Sequence, residues 1–147
     1  MRTPLPMTAE RWRYTTDYLE RVFGAQDERL AGLRERAAAR GLPDIAVSAP
    51  VGRLLALLTS MTRGRLAVEL GTLGGYSAIW IARALAPEGR LVTFEPNGAH
   101  ADFAEEELAA AGLGDRVEVR REPGVEGSSG SPASSRPAPS TCSSSTP

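Results

Sequence analysis

The chain has 147 residues and a mass of 15.6 kDa, and its 41% hydrophobic content suits one domain around one core. Basic and acidic residues balance at 17 against 18, so no net positive field recommends nucleic acid or an anionic membrane as a partner. No run approaches the roughly 18 apolar residues of a membrane span, and the stretch Met1–Pro6 has no apolar signal core, which leads us to expect a cytoplasmic protein.

In chain order, Trp12, Thr15, Leu19, Val22 and Phe23 recur at helical spacing between Thr8 and Gly24. A second helix is predicted from near Asp27 through Leu30, Leu33 and Ala37 to Arg40, where Gly41 and Pro43 stop it. A third carries Leu54, Leu55, Leu57, Leu58 and Met61, a wide apolar stripe that predicts burial. After Gly64 the period changes. Leu66–Leu70 reads as a short buried strand that ends in the turn Gly71-Thr72-Leu73-Gly74-Gly75, and Tyr76–Ala86 reads as a helix. Leu91–Glu95 is a second strand, Ala99–Ala111 a helix stopped by Gly112, and Val117–Arg120 a third strand. Alternation of strand and helix at these lengths predicts an α/β fold with a parallel sheet and right-handed crossovers, half of a doubly wound architecture.

Composition breaks near Arg121. Between Ser128 and Pro147 there are nine serines and four prolines with no Val, Ile, Leu, Met or aromatic residue, too little apolar surface to offset the entropy of ordering. The expected division is a partial folded domain over 1–120 and a disordered Ser/Pro-rich tail over 121–147. All basic residues are arginine, a mark of GC-rich coding.

A glycine-rich turn after a first strand lets a ligand approach the backbone, and an acid at the end of the second strand can accept hydrogen bonds from both hydroxyls of an adenosine ribose. Gly71 and Glu95, 24 positions apart, supply that pair. The spacing Gly71-x-x-Gly74-Gly75 departs from the G-x-G-x-x-G of dinucleotide sites, and Glu69 would repel a pyrophosphate. An acid there suits a ligand with a cationic end.

The segments Val68–Ser77 (Val-Glu-Leu-Gly-Thr-Leu-Gly-Gly-Tyr-Ser), Leu91–Glu95 and Ala111–Val119 together resemble the S-adenosylmethionine-dependent O-methyltransferases of the caffeoyl-CoA and catechol type. Tyr18-Leu19, Gly41-Leu42-Pro43, Ile45–Ser48 and Gly52-x-Leu54-Leu55 are similar to the amino-terminal helices of bacterial members. The resemblance implies a Rossmann-like class I methyltransferase fold, incomplete here, with amino-terminal helices and the first three parallel strands. It implies that Val47 and Gly71 meet the methionyl end of S-adenosylmethionine through backbone groups and that Ser77 holds its carboxylate. It further implies that Glu69 lies near the cationic part, Thr72 packs along the cofactor and Glu95 grips the ribose.

It also implies transfer of a methyl group to a hydroxyl of a small-molecule acceptor, assisted by a divalent, Mg-type metal, and a homodimer in intact members. The family's metal ligands and candidate base follow its third strand in a segment approximately Phe-Asp-Leu-Val-Phe-Ile-Asp-Ala-Asp-Lys, which this sequence lacks, so the catalytic residues stay unassigned and impaired turnover is expected. Codons for Pro139–Pro147, with serine as TCN, regrouped by one base, permit Phe-Asp-Leu-Leu-Phe-Ile-Asp-Ala, all eight second bases then falling where that strand requires them. We therefore read the tail as a frameshifted version of that strand.

Other readings accompany these. Glu69 has a rival role as a paired or solvated carboxylate, and Ser77 as a helix cap. Trp80 and Phe94 are expected in the core, His100 on an exposed helix surface, and Glu105-Glu106-Glu107 on a solvated face. A lone cysteine, Cys142, and a lone histidine, His100, exclude an intramolecular disulfide and a Cys-rich or multi-histidine metal site. A dinucleotide-dependent oxidoreductase and a non-catalytic oligomerising module are the alternative functions.

Overall fold

A computed structural model describes residues 6–124; the expectations for 125–147 lie outside the described residues. The elements are α1 (Ala9–Phe23), α2 (Glu28–Ala39), α3 (Ala49–Thr62), β1 (Leu66–Leu70), α4 (Tyr76–Ala84), β2 (Arg90–Phe94), α5 (Gly98–Ala110) and β3 (Val117–Arg120). The local chemistry of the helix ends explains several boundaries. Thr8 accepts the Arg11 N–H, Asp27 accepts the Leu30 N–H and Asn97 accepts the N–H groups of Ala99 and His100, each satisfying donors that a first helical turn leaves free. The Leu30 bond, with help from Arg83, holds the Asp27 carboxyl below the usual carboxylate range.

The three strands pair in the order β1-β2-β3, all parallel. Leu70 sits opposite Phe94, and Phe94 opposite Arg120, so the carboxyl ends of the strands finish level with one another. Gly71 and Glu95 follow directly, side by side at that edge. This is where open α/β sheets bind ligands.

The core joins α2, α4, α5 and β2 through Leu30, Leu33, Ile79, Trp80, Leu91, Phe103 and Leu108. Trp80 and Phe94 are buried, as expected from the sequence. Gly52 lets α3 lie directly on the Trp80 indole, where a methyl group at position 52 would overlap the ring. Trp80 fixes the body of the helix whose first turn carries Ser77.

The expected burial of α3 and β1 is corrected. Leu54, Leu57, Leu58 and Met61 on α3 are exposed, as are Leu66, Val68 and Leu70 on β1, with Val68 showing 58% of its surface. β1 is an edge strand, and of the described residues Gly124 lies against Leu70 while the face remains largely open. Trp12, Tyr18, Val22 and Phe23 on α1 are exposed too. The apolar period correctly located each element, but a stripe states only that a face repels water, not what lies against it.

The solvated face expected of Glu105–Glu107 is also corrected. Glu107 is buried at 6% exposure and accepts from Arg29 at 2.8 Å and from Arg36 at 2.7 and 2.8 Å, joining α5 to α2. The Arg36 hydrogen bonds hold its carboxyl below the usual range. Glu105 and Glu106 are exposed and pair with Arg121 and Arg40. Arg121 meets Asp102 as well, at 2.7 Å, on the solvent face of α5.

Candidate functional site

A cavity of about 580 Å³ opens at the carboxyl ends of the strands, a size suited to a small-molecule ligand. Its wall combines the α2–α3 connection, from Leu42 to Val47, with the loop Gly71–Gly74, the start of α4 and Glu95. Five of the six residues assigned from sequence line it: Val47, Gly71, Thr72, Ser77 and Glu95. Glu69 is absent from the lining and lies behind it.

The loop after β1 is built from the backbone outward. The N–H groups of Gly71 and Thr72 both donate to the Phe94 carbonyl, at 3.0 and 3.2 Å, fastening the turn to the end of β2. Gly71 adopts φ +95° with nothing within 4 Å of where a Cβ would stand, a conformation that glycine alone adopts without strain and that leaves the backbone bare. Leu73 adopts φ 49°, unusual for a side chain of its kind, and its N–H donates to Glu95 Oε2 at 2.8 Å.

Glu95 is 6% exposed. Its Oε1 accepts the Asn97 N–H at 3.0 Å, so each carboxylate oxygen has one backbone donor and one lone pair still available. A carboxylate held in this way is fixed in position yet can accept from two adjacent hydroxyls.

Behind the loop runs a buried chain of oxygens. Thr93 donates to Glu69 Oε2 at 2.7 Å, and since that uses its one proton, Thr72 donates to Thr93 in their 2.6 Å contact. Burial pushes the Glu69 carboxyl above the usual carboxylate range, while the hydroxyls of Ser77 and Thr93 pull it back. Glu69 is therefore a half-buried carboxyl with hydroxyl partners, which departs from the alternative reading of a helix-paired or solvated group. Thr72, expected to pack along the ligand, turns its hydroxyl into the protein. The capping role considered for Ser77 is corrected: the cap of α4 is Gly75 at φ 80°, and no side chain caps that end.

His100 was expected on an exposed surface. It is instead half-buried, lines the cavity and places Nδ1 3.6 Å from Glu95 Oε1. Its position in the first turn of α5, five residues after Glu95, is the signal that could have found it: a helix that starts beside the acid must bring its first turn back over the same edge. Arg34, also part of the wall, has no signature in its neighbours at all.

Among the described residues no three His, Cys, Asp or Glu side chains come together as a metal group. No helix among them is long and apolar enough to cross a membrane.

The helices and the three-stranded parallel sheet, with a glycine-rich loop after the first strand and an acid after the second, make an α/β fold of the Rossmann-like methyltransferase class. Residues 21–128 match the O-methyltransferase family model, and the chain belongs to that family. It is 44% identical over 102 residues to a catechol O-methyltransferase of Mycobacterium tuberculosis, covering 69% of this chain and 46% of that protein. A catechol O-methyltransferase of Niastella koreensis is 40% identical over 103 residues, or 70% of this chain and 47% of that one. Among solved structures, a Bacillus cereus O-methyltransferase in complex with SAH superposes with a TM-score of 0.72 at 42% identity, over 76% of this chain and 50% of that one. The O-methyltransferase TomG of Streptomyces achromogenes in complex with SAM gives 0.71 at 43% identity, over 78% and 52%. The chain spans about half the length of the curated relatives it matches.

Proposed function

We propose that this chain carries the cofactor-binding part of an O-methyltransferase that moves a methyl group from S-adenosylmethionine to a hydroxyl of a small-molecule acceptor. The observation that carries this reading is the juxtaposition of Glu95 and the Gly71–Gly74 loop at the level ends of parallel strands. The SAH and SAM complexes of the two structural relatives support the choice of nucleoside.

The residues present suit such a ligand. Glu95, pinned by Leu73 and Asn97, keeps a free lone pair on each oxygen for the two ribose hydroxyls. Gly71 leaves room for the ligand to lie on the backbone. Ser77 lies in the first turn of α4, at the positive end of the helix dipole, where a carboxylate is favoured. Glu69 supplies negative potential behind the cationic end, and Thr72 orients it through Thr93. Bound there, S-adenosylmethionine supplies a sulfonium-activated methyl for transfer to a nucleophilic oxygen.

The divalent metal that the family resemblance implies does not fit the described residues, which offer no ligand group, and we derive no step through it. The proposal includes low turnover by this 147-residue chain, a frameshift between about Arg121 and Pro139, and a cytoplasmic location. It also includes a second copy of the intact protein against the exposed apolar faces of α1 and α3.

Transfer of isotopically labelled methyl groups to a panel of catechols and other hydroxylated acceptors tests the reading, with the chain as given compared to one in which the frame is restored. Transfer by the restored chain, at least about a hundredfold faster than by the chain as given, is expected; a hundredfold corresponds to roughly 2.7 kcal/mol of lost transition-state stabilisation. A restored, folded chain that methylates no hydroxyl would overturn it.

A further inference from the structure

The connection from Pro43 to Ser48 forms one side of the cavity but has almost no hydrogen bonding of its own. Its one internal backbone bond runs from the Ile45 N–H to the Pro43 carbonyl, at 3.0 Å. What holds it is a side chain from another element. Arg34 of α2 donates through Nη2 to the carbonyls of Ala46 and Val47, at 2.8 and 2.9 Å, and through Nη1 to Asp44 at 3.2 Å. Its guanidinium also lies 5.8 Å from the centre of the Tyr76 ring, next to Ser77 in sequence.

The post that carries Arg34 is firmly set. Leu30 and Leu33 of the same helix are each 1% exposed, and Asp27 at its cap meets Arg83 of α4 at 2.7 Å. A planar guanidinium can address two carbonyls and a carboxylate together, which a lysine ammonium on a flexible stem does not reproduce. The contacts have a directional result. With the Val47 carbonyl turned to Arg34, the group that residue 47 has left to offer is its N–H, which has no acceptor among the described residues.

We propose that Arg34 is a positioning residue: by gripping the Ala46 and Val47 carbonyls it fixes the α2–α3 connection so that the Val47 N–H faces the cavity as a donor for the carboxylate of an amino-acid-bearing nucleoside. This rests on the cofactor reading above and names the device that sets one end of the same site. Arg34 does not itself touch the ligand in this account. Its effect falls on the amino-acid end and spares the nucleoside end.

Two probes separate those ends. S-adenosylhomocysteine has the amino and carboxylate groups; 5′-methylthioadenosine keeps the nucleoside and sulfur but lacks them. With the full chain, Arg34→Gln should weaken S-adenosylhomocysteine about tenfold, the scale of one charge-assisted hydrogen bond lost, and leave 5′-methylthioadenosine within twofold. Arg34→Lys should recover only part of the loss. Amide exchange at residues 45–48 should accelerate in Arg34→Gln while α2 and α4 stay protected.

Equal weakening of both probes, no weakening of either, or unchanged exchange at 45–48 would each overturn the proposal. Failure of the wild-type chain to bind either probe would overturn the cofactor reading and this proposal with it. Wild-type binding that Arg34→Gln leaves intact would overturn the role of Arg34 alone.

Discussion

The Leu73 N–H donates to Glu95 Oε2 at 2.8 Å, so the acid after the second strand holds the glycine-rich loop after the first. Leu73 has a positive φ of 49°, a conformation that costs an ordinary side chain roughly 1–2 kcal/mol. The Glu95 contact offsets that cost and sets both edges of the cavity with one carboxylate.

Replacing Glu95 with Ala therefore does two things at once. It leaves the buried-side N–H groups of Leu73 and Asn97 without their acceptor, and we expect a loss of about 2 kcal/mol in chemical denaturation. It also removes the ribose acceptor, so S-adenosylhomocysteine should bind at least about tenfold more weakly, a change of roughly 1.4 kcal/mol. Glu95→Gln, which keeps an acceptor oxygen, should recover more of the stability than of the affinity.

Glu69 opposes stability for the sake of charge. Burial raises its carboxyl in the folded state, so the folded chain binds a proton more readily than the unfolded one. Its contribution is present below the usual carboxylate range and is lost as pH rises through the raised folded value. Glu69→Gln, always neutral, should show a shallower decline of the denaturation midpoint over that window and weaker binding of S-adenosylmethionine. A variant that keeps the wild-type pH slope would show that Glu69 is not its source.

Glu107 has the opposite sign. The guanidinium groups of Arg36 and Arg29 lower its carboxyl in the folded state, so its contribution is present above the usual carboxylate range and is lost as pH falls through the lowered value. Both arginines are partly solvated and can rehydrate when their partner is gone, which moderates the effect. We expect Glu107→Gln to cost about 1–2 kcal/mol at neutral pH and little in strong acid, read from denaturation midpoints across the acid range. Asp27, lowered in the same direction, should leave a residual acid slope in the variant.

The order of elements was legible because each rests on short-range chemistry: the change of hydrophobic period after Gly64 and the glycine stops at Gly41 and Gly112. The Gly71–Glu95 pairing was legible too, since consecutive parallel strands bring their ends together whatever lies between. Glu107 was not, because its partners are 71 and 78 positions away and nothing near it announces them. Arg34 was hidden for a similar reason: one arginine among many, distinguished only by the carbonyls that fold onto it. The exposure of Leu66, Val68 and Leu70 contradicts a correct local reading of β1, since burial belongs to the assembly of elements and not to the strand.

The coding DNA offers a prediction independent of the protein. If residues 139–147 are a shifted reading, the third bases of those codons are constrained, and moving the frame by one base yields Phe-Asp-Leu-Leu-Phe-Ile-Asp-Ala followed by further open sequence. Sequencing the locus checks this. Third bases that do not spell that peptide would leave the Ser/Pro-rich segment as an authentic product of its gene.

Titration calorimetry of the folded full chain with S-adenosylhomocysteine, repeated with NAD, tests the central claim most directly. We predict saturable binding of S-adenosylhomocysteine, weakened at least about tenfold in Glu95→Ala, with no comparable heat from NAD. Absence of S-adenosylhomocysteine binding by a demonstrably folded chain, or tighter binding of NAD, would contradict it.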